Sequence, residues 1–261
     1  MCRFLAYFGS PIFLNELVYD PVHSLVHQSL HAAQAKTETN GDGFGIGWYG
    51  TRDRPGVYRD IRPAWSDENL RSVCDQIQSE LFFAHVRAST GTALSRANCH
   101  PFQHGTSLFM HNGQIGGYKS LKRRIESLLP DSFYDHRMGT TDSEALFLLA
   151  LSNGLGNRPL DAMVTTLSQV QQLMEEAGIH DPLRFTACYT DGVSLWAYRW
   201  ASDGKPPSLY FREEPNGVLV VSEPFDERQQ GWNEIPRDCA LKVDRFGVKI
   251  EAFRVPMGVV G

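Results

Sequence analysis

Met1-Cys2-Arg3-Phe4-Leu5-Ala6-Tyr7 opens the chain. Apart from Arg3 the stretch is apolar or small, and residues 2–7 read as a first strand entering the fold directly from the terminus. Cys is small enough for methionine aminopeptidase to remove the Met before it. The mature chain is then expected to start with Cys2, a single residue holding a free α-amine and a thiol. The amine, with an ordinary pKa of roughly 7.7–8.0, is partly neutral near pH 7 and can accept a proton. The thiol becomes a strong nucleophile once it is a thiolate. On position alone the plainer reading, a cysteine that happens to begin a strand, is preferred. The motifs downstream reverse that preference.

Outward from this strand, residues 44–49 and 56–61 are strand-like. Residues 69–79 have helical spacing, with Leu70, Val73, Cys74 and Ile77 on one face. Residues 81–86 and 106–111 read as buried strands. Helices are expected over 118–129, with Lys and Arg on the outer face, over 143–152, and over 160–178, stopping at Gly178. The last third is strands: 184–189 and 193–198 flank the turn dipeptide Asp191-Gly192, and 209–212, 218–222, 240–244 and 248–253 follow. Strands, then helices, then strands predict an α+β fold rather than alternating βαβ units. Strands apolar on both faces need cover, which two sheets packed face to face with helices outside would provide. With no linker and no repeat, one domain over 1–261 is the simplest organisation.

The chain has 261 residues, enough for a substantial core, and a net charge of −5, which argues against a nucleic-acid partner. No apolar run approaches the roughly 20 residues of a membrane helix, and no basic start followed by an apolar core marks a secretory signal. The five cysteines, Cys2, Cys74, Cys99, Cys188 and Cys239, are scattered and form no Cys-x-x-Cys pair. A disulfide framework or zinc knuckle is not expected, and a reducing cytoplasm is. Gly45-Ile46-Gly47-Trp48-Tyr49-Gly50 matches Gly-x-Gly-x-x-Gly, but Thr51-Arg52-Asp53-Arg54-Pro55 after it will not open a helix, so no dinucleotide site is expected. The glycines instead suit close backbone packing near the nucleophile. His100 and His104 are separated by Pro101 and there is no His-Glu-x-x-His, so neither a metal nor an organic cofactor is implied.

Three further signals bear on chemistry, each weak alone. Phe83-Ala84-His85-Val86-Arg87-Ala88-Ser89-Thr90-Gly91 is an apolar strand ending on Arg87 and breaking into a small polar turn. Arg captures carboxylates in bidentate fashion, and a strand end holds it rigidly. Phe109-Met110-His111-Asn112-Gly113-Gln114 contains a turn dipeptide, Asn112-Gly113. A side-chain amide from Asn112 and a main-chain N–H from Gly113 would also make an oxyanion hole. Gly139-Thr140-Thr141-Asp142-Ser143-Glu144 has capping-box spacing, with Thr141 as N-cap and Asp142 in the first turn. Asp142 either complements the helix dipole or binds an ammonium group. A γ-glutamyl compound has a carboxylate for Arg87, an ammonium for Asp142, an oxyanion for Asn112 and Gly113, and a carbonyl for Cys2 to attack.

The order Met-Cys, His-x-Arg-x-x-Thr, His-Asn-Gly and Thr-Asp-Ser-Glu resembles the class II glutamine amidotransferases, which are N-terminal-nucleophile (Ntn) hydrolases. Val221-Ser222-Glu223-Pro224 extends the resemblance over nearly the whole chain. Asn40-Gly41-Asp42-Gly43-Phe44-Gly45-Ile46-Gly47-Trp48 and Asn98-Cys99-His100-Pro101-Phe102 are most similar to the stand-alone branch that includes the ergothioneine-pathway γ-glutamyl hydrolase. The resemblance implies a four-layer α/β/β/α sandwich of two antiparallel sheets. It implies Cys2 as nucleophile with its own amine as base, Asn112 and Gly113 as oxyanion hole, Arg87 and Thr90 at the α-carboxylate, and Asp142 at the α-amine. His100 matches a histidine read as structural. Ala88 and Gly91 stand where synthetase-linked members carry Trp and His. The smaller residues suit a γ-glutamyl group bearing more than ammonia and put strict glutamine specificity in doubt. The expected activity is cytoplasmic cleavage of the γ-amide of glutamine or a γ-glutamyl small molecule through a thioester. Alternatives are a glutaminase supplying ammonia to a separate synthetase partner, or a non-catalytic γ-glutamyl-binding protein if Met1 is retained.

Overall fold

Phe4 and Ala6 leave the first strand on one side and Leu5 and Tyr7 on the other, as alternation requires. All four are buried, so the strand has apolar layers on both faces. In the structure, a computed structural model, residues 2–30, 40–88, 93–225 and 231–256 are described. Met1, Thr90 and Gly91 lie outside the described residues.

Strand β1 (Arg3–Phe13) is followed by short helices α1 (Asn15–Val18) and α2 (Leu25–Leu30), then strands β2 (Phe44–Trp48) and β3 (Gly56–Asp60), helix α3 (Glu68–Gln76) and strand β4 (Gln78–Val86). Strands β5 (Phe102–His104) and β6 (Ser107–Gln114) lead to helices α4 (Tyr118–Glu126), α5 (Asp131–Tyr134), α6 (Asp142–Ser152) and α7 (Pro159–Glu176). Seven strands close the described chain: β7 (Arg184–Thr190), β8 (Leu195–Ala201), β9 (Tyr210–Glu214), β10 (Gly217–Val221), β11 (Asn233–Glu234), β12 (Cys239–Asp244) and β13 (Gly247–Ala252).

The strands form two antiparallel sheets, ordered β11-β9-β10-β1-β4-β2-β3 and β13-β12-β8-β7-β6-β5. Phe4, Ala6, Phe83 and Val220 of the first sheet meet Leu108, Met110, Cys188 and Leu241 of the second in a buried layer between them. Outside the first sheet, Leu5, Tyr7 and Phe82 pack on Val18, Leu25, Leu70 and Cys74 of α1, α2 and α3. Outside the second, Phe109, Phe185 and Tyr189 pack with α4, α6 and α7. The result is the expected α+β sandwich, α/β/β/α. Register follows from burial. A one-residue slip of β1 would swap its two faces, and each large apolar side chain moved to water costs about 1.5–3 kcal/mol.

Several boundaries differ from expectation: β1 runs on from Tyr7 to Phe13, β4 starts at Gln78, α4 stops at Glu126 and β8 covers Leu195–Ala201. The helix expected over 69–79 ends at Gln76, because Gln78 and Ser79 already pair with Phe13 and Ile12 of β1. The strand expected over 106–111 runs on to Gln114, so Asn112-Gly113 is not a turn but lies in a ladder opposite Thr186 and Phe185 of β7. Tertiary pairing overrides the local turn preference there. The Asp191-Gly192 hairpin turn holds, with Gly192 at φ +94.

Candidate active site

Cys2 immediately precedes β1. Because Phe4 and Ala6 face the inter-sheet layer, alternation puts residue 2 on that same side. Its sulfur accepts the Ala88 N–H at 3.4 Å and lies 3.6 Å from the Ala88 carbonyl oxygen. Its carbonyl oxygen accepts from Arg3 Nη1 at 3.0 Å and from Asn112 Nδ2 at 3.1 Å. Burial pushes the Cys2 thiol up; the Ala88 N–H and the positive charges of Arg87 and Arg3 pull the other way.

The end of β1 is fastened from below. Arg3 Nε donates to Glu223 Oε2 at 2.6 Å in a buried ion pair. Ser222 Oγ accepts the Phe4 N–H at 3.0 Å, and Gln28 Nε2 donates to the Glu223 carbonyl at 3.3 Å. Removing one partner of such a buried pair costs about 3–5 kcal/mol. The segment Val221-Ser222-Glu223-Pro224 therefore acts on the site by holding the strand that carries Cys2.

Arg87 is buried at the end of β4, where Arg3 and Phe44 both pair with Val86. Its N–H donates to the Gly43 carbonyl at 2.8 Å, its carbonyl accepts from Asp42 N–H at 3.0 Å, and its Nη1 donates to the Asp42 carbonyl at 3.2 Å. The glycines of β2 serve this junction by close approach. A Cβ on Gly45 would collide with the His100 carbonyl, and one on Gly47 with Pro101. Close packing thus accounts for the Gly-x-Gly pattern, and β2 leads into strand β3.

Asn112 and Gly113 come from the opposite sheet. A Cβ on Gly113 would run into the Arg184 carbonyl oxygen and lie 2.5 Å from His111 Nε2. Gly113→Ala is accordingly expected to destabilise the fold by about 2–4 kcal/mol and to remove activity. A urea melt with an amidase assay checks both, and wild-type values in the two would contradict this packing argument.

Asp142 begins α6. Thr141 caps the helix, its Oγ1 accepting the Glu144 N–H at 3.3 Å. The second half of the capping box is not made: Glu144 reaches back instead to the N–H groups of Met138 (3.1 Å) and Gly139 (2.7 Å), and pairs with Arg137. Asp142 Oδ1 accepts its neighbour's Ser143 N–H at 2.8 Å, and Oδ2 accepts Ile115 N–H at 3.0 Å, just past Gly113. The carboxylate thus ties the helix start to the end of β6. It borders a cavity of about 550 Å³ that Ala93, Gln114, Gly117, Lys119 and Thr140 also line.

Two residues that the motifs contain, but to which sequence alone assigns no role, complete the link. His111 Nδ1 and Ser143 Oγ are 2.8 Å apart, and Ser143 Oγ donates to Asp142 Oδ1 at 3.3 Å. The His-Asn-Gly motif is thereby joined to Asp142; adjacency of His111 to Asn112 was the only hint in sequence. A larger cavity, about 960 Å³, opens at the other end of the sandwich among Phe8, Tyr49, Arg52 and Asp191, and none of the predicted site residues lines it. Among the described residues, no group of three or more His, Cys, Asp or Glu is placed to hold a metal, and no helix is long and apolar enough to cross a membrane.

A profile described as class-II glutamine amidotransferases matches residues 14–228. The chain belongs to the class II glutamine amidotransferases. This family places it among the amidohydrolase enzymes, and the yeast and mycobacterial relatives support the stand-alone branch. It is 30% identical to a probable glutamine amidotransferase, DUG3, of Saccharomyces cerevisiae, over 94% of this chain and 82% of the yeast protein. It is also 30% identical to the gamma-glutamyl-hercynylcysteine sulfoxide hydrolase of Mycolicibacterium smegmatis, over 90% of this chain and 92% of that one. Among solved structures, a glutamine aminotransferase class-II domain protein from Silicibacter pomeroyi superposes with a TM-score of 0.79 at 36% identity, covering 97% of this amidotransferase and all of that chain. The B. subtilis glutamine phosphoribosylpyrophosphate amidotransferase, at 16% identity and TM-score 0.68, shares the fold; this chain spans half of it.

Proposed function

We propose that this amidotransferase hydrolyses the γ-amide of glutamine or of a γ-glutamyl compound through a thioester on Cys2, after loss of Met1. The observation that carries the proposal is the convergence of two sheets on one residue. Cys2 sulfur is hydrogen-bonded to the residue after Arg87, and its carbonyl is hydrogen-bonded by Asn112.

In this reading the α-amine of Cys2 takes the thiol proton and the sulfur attacks the γ-carbonyl, forming the C–S bond as the carbonyl π pair moves to oxygen. Asn112 uses one amide hydrogen on the Cys2 carbonyl and has a second for that oxygen, beside the Gly113 N–H. The oxyanion collapses, the C–N bond breaks, and the amine leaves with the proton held by the Cys2 ammonium. Water then attacks the thioester, with the same amine as base, and releases glutamate. Arg87 pairs with the substrate α-carboxylate and Asp142 with its α-ammonium, each charged hydrogen bond worth about 1.5–3 kcal/mol. The name of the mycobacterial relative, a γ-glutamyl hydrolase, and the alanine at position 88 favour a leaving amine larger than ammonia.

The test is covalent. A glutamine-mimicking diazo-ketone should label the protein once, on Cys2, in material whose intact mass shows the first Met removed. A label found on another residue refutes the assignment. A panel of γ-glutamyl amides scored by released glutamate then identifies the leaving amine.

A further inference from the structure

Asn98 has no part in the chemistry above, yet it is 1% exposed and both of its amide heteroatoms are bonded. Its Nδ2 donates to the Ala93 carbonyl at 2.9 Å and to Thr140 Oγ1 at 3.1 Å. Its Oδ1 accepts the Thr140 N–H at 2.7 Å. Ala93 lies a few residues after Arg87, and Thr140 lies two before Asp142. Both are walls of the 550 Å³ cavity that Asp142 borders. One side chain therefore spans the two walls.

The amide is itself held firmly. It ends a single 3-10 turn, Arg96–Asn98, whose first N–H groups are met by Ser95: Oγ accepts from Ala97 N at 3.2 Å. Arg96 is pinned by the Asp60 carboxylate at 2.6 Å. Across the gap, Glu144 grips Met138 and Gly139. A Cβ on Gly139 would lie 2.5 Å from Asn98 Oδ1 and 2.7 Å from the Ala97 carbonyl, so the two loops meet only because residue 139 is glycine. A buried amide with rigid backing on both sides fixes a distance. The distance fixed here is the width of the cavity beside Asp142.

We propose that Asn98 is a positioning residue: acting through Ala93 and Thr140, it sets the spacing of the cavity walls and so the affinity for the glutamate head, without touching the reacting atoms. The inference rests on the reading of Cys2, Arg87 and Asp142 given above. It is tested by inactivation kinetics with 6-diazo-5-oxo-norleucine, the label being located by mass spectrometry. Asn98→Asp keeps an acceptor for Thr140 N–H and loses the donor to Ala93. Thr140→Val keeps the main-chain bond and loses the hydroxyl one. The half-saturating concentration is expected to rise about tenfold in Asn98→Asp and about threefold in Thr140→Val, with the limiting rate of labelling within about twofold of wild type. A role in stability alone would lower the melting temperature and leave half-saturation in place, and that result in a folded variant overturns the inference. Should Asn98→Asp not fold, Thr140→Val decides by the same criterion. Wild-type protein that takes no label on Cys2 overturns the underlying reading of the site instead.

Discussion

Cys2→Ala protein is expected to fold with a melting temperature close to wild type and to release glutamate at least about ten-thousand-fold more slowly. The two halves of that expectation have separate causes. The thiol makes only weak sulfur contacts, 3.4 and 3.6 Å to the Ala88 main chain, and the residue is only half-buried. Its removal leaves the Cys2 carbonyl with both of its donors, Arg3 and Asn112, so the stability cost stays under about 1 kcal/mol. The chemical cost is large because no other thiol can substitute. Cys74, Cys99 and Cys188 are fully enclosed, so no substrate carbonyl reaches them. Cys239 is half-buried and lies on β12, in the other sheet, paired with Arg199 of β8 and Ala252 of β13. Cys239 also predicts the residual chemistry: whatever alkylation survives in Cys2→Ala falls there. Glutamate release within tenfold of wild type from a folded Cys2→Ala protein would remove Cys2 from the mechanism.

Much of this geometry could be read before the fold was known, because it depends on local rules. The alternation of Cys2, Phe4 and Ala6 against Leu5 and Tyr7 states which layer each enters. Thr141 caps α6 because hydroxyls at that position meet the free N–H groups of a helix start, and Asp142 follows from it. Element boundaries differ from the local pattern where long-range pairing competes with it. Asn112-Gly113 has turn composition, but two strands of the second sheet claim it. Gln78 and Ser79 continue a helical periodicity, but β1 needs a partner at Ile12 and Phe13. Asn98 was legible only as part of a motif. Its partner Thr140 is 42 positions away, and nothing in the composition of either segment tells that an amide will bridge them. The same holds for His111 and Ser143, whose contact depends on how α6 docks on the second sheet.

Stability is expected to fall steeply with acid from about pH 6, before carboxylates titrate. His85, His100 and His111 are all buried. Burial lowers each: His85 to about 3, with Arg87 and His111 adding to the effect, and His100 well below its ordinary value, with His85, His111 and Arg87 adding to it. His111 is lowered by burial against a counter-pull from Asp142. The His85 and His100 rings lie with centroids 4.2 Å apart, and among the described residues no ring nitrogen of either has a partner of hydrogen-bond geometry. Protonating either would leave an unpaired charge between the sheets. Unfolded histidine titrates near 6.5, so between that value and the depressed folded ones the unfolded chain holds more protons. Stability then rises with pH and drops as pH falls through this window. Each histidine contributes at most a limiting slope of about 1.4 kcal/mol per pH unit, so His85 and His100, the two without a counter-charge, dominate the decline. Asp60 acts lower down. Burial would raise it, but the Arg62 N–H and the guanidinium groups of Arg96 and Arg62 hold it to about 2, so its contribution is complete above about 4 and fades only as pH falls toward 2. The two sources separate by where the acid limb begins. Urea midpoints should hold from pH 7.5 to about 6.5 and decline from there to 4.5 in wild type, and His100→Gln should flatten the decline. A midpoint constant down to pH 5 would mean that the buried imidazoles are charged or solvated in the folded protein, contrary to their packing.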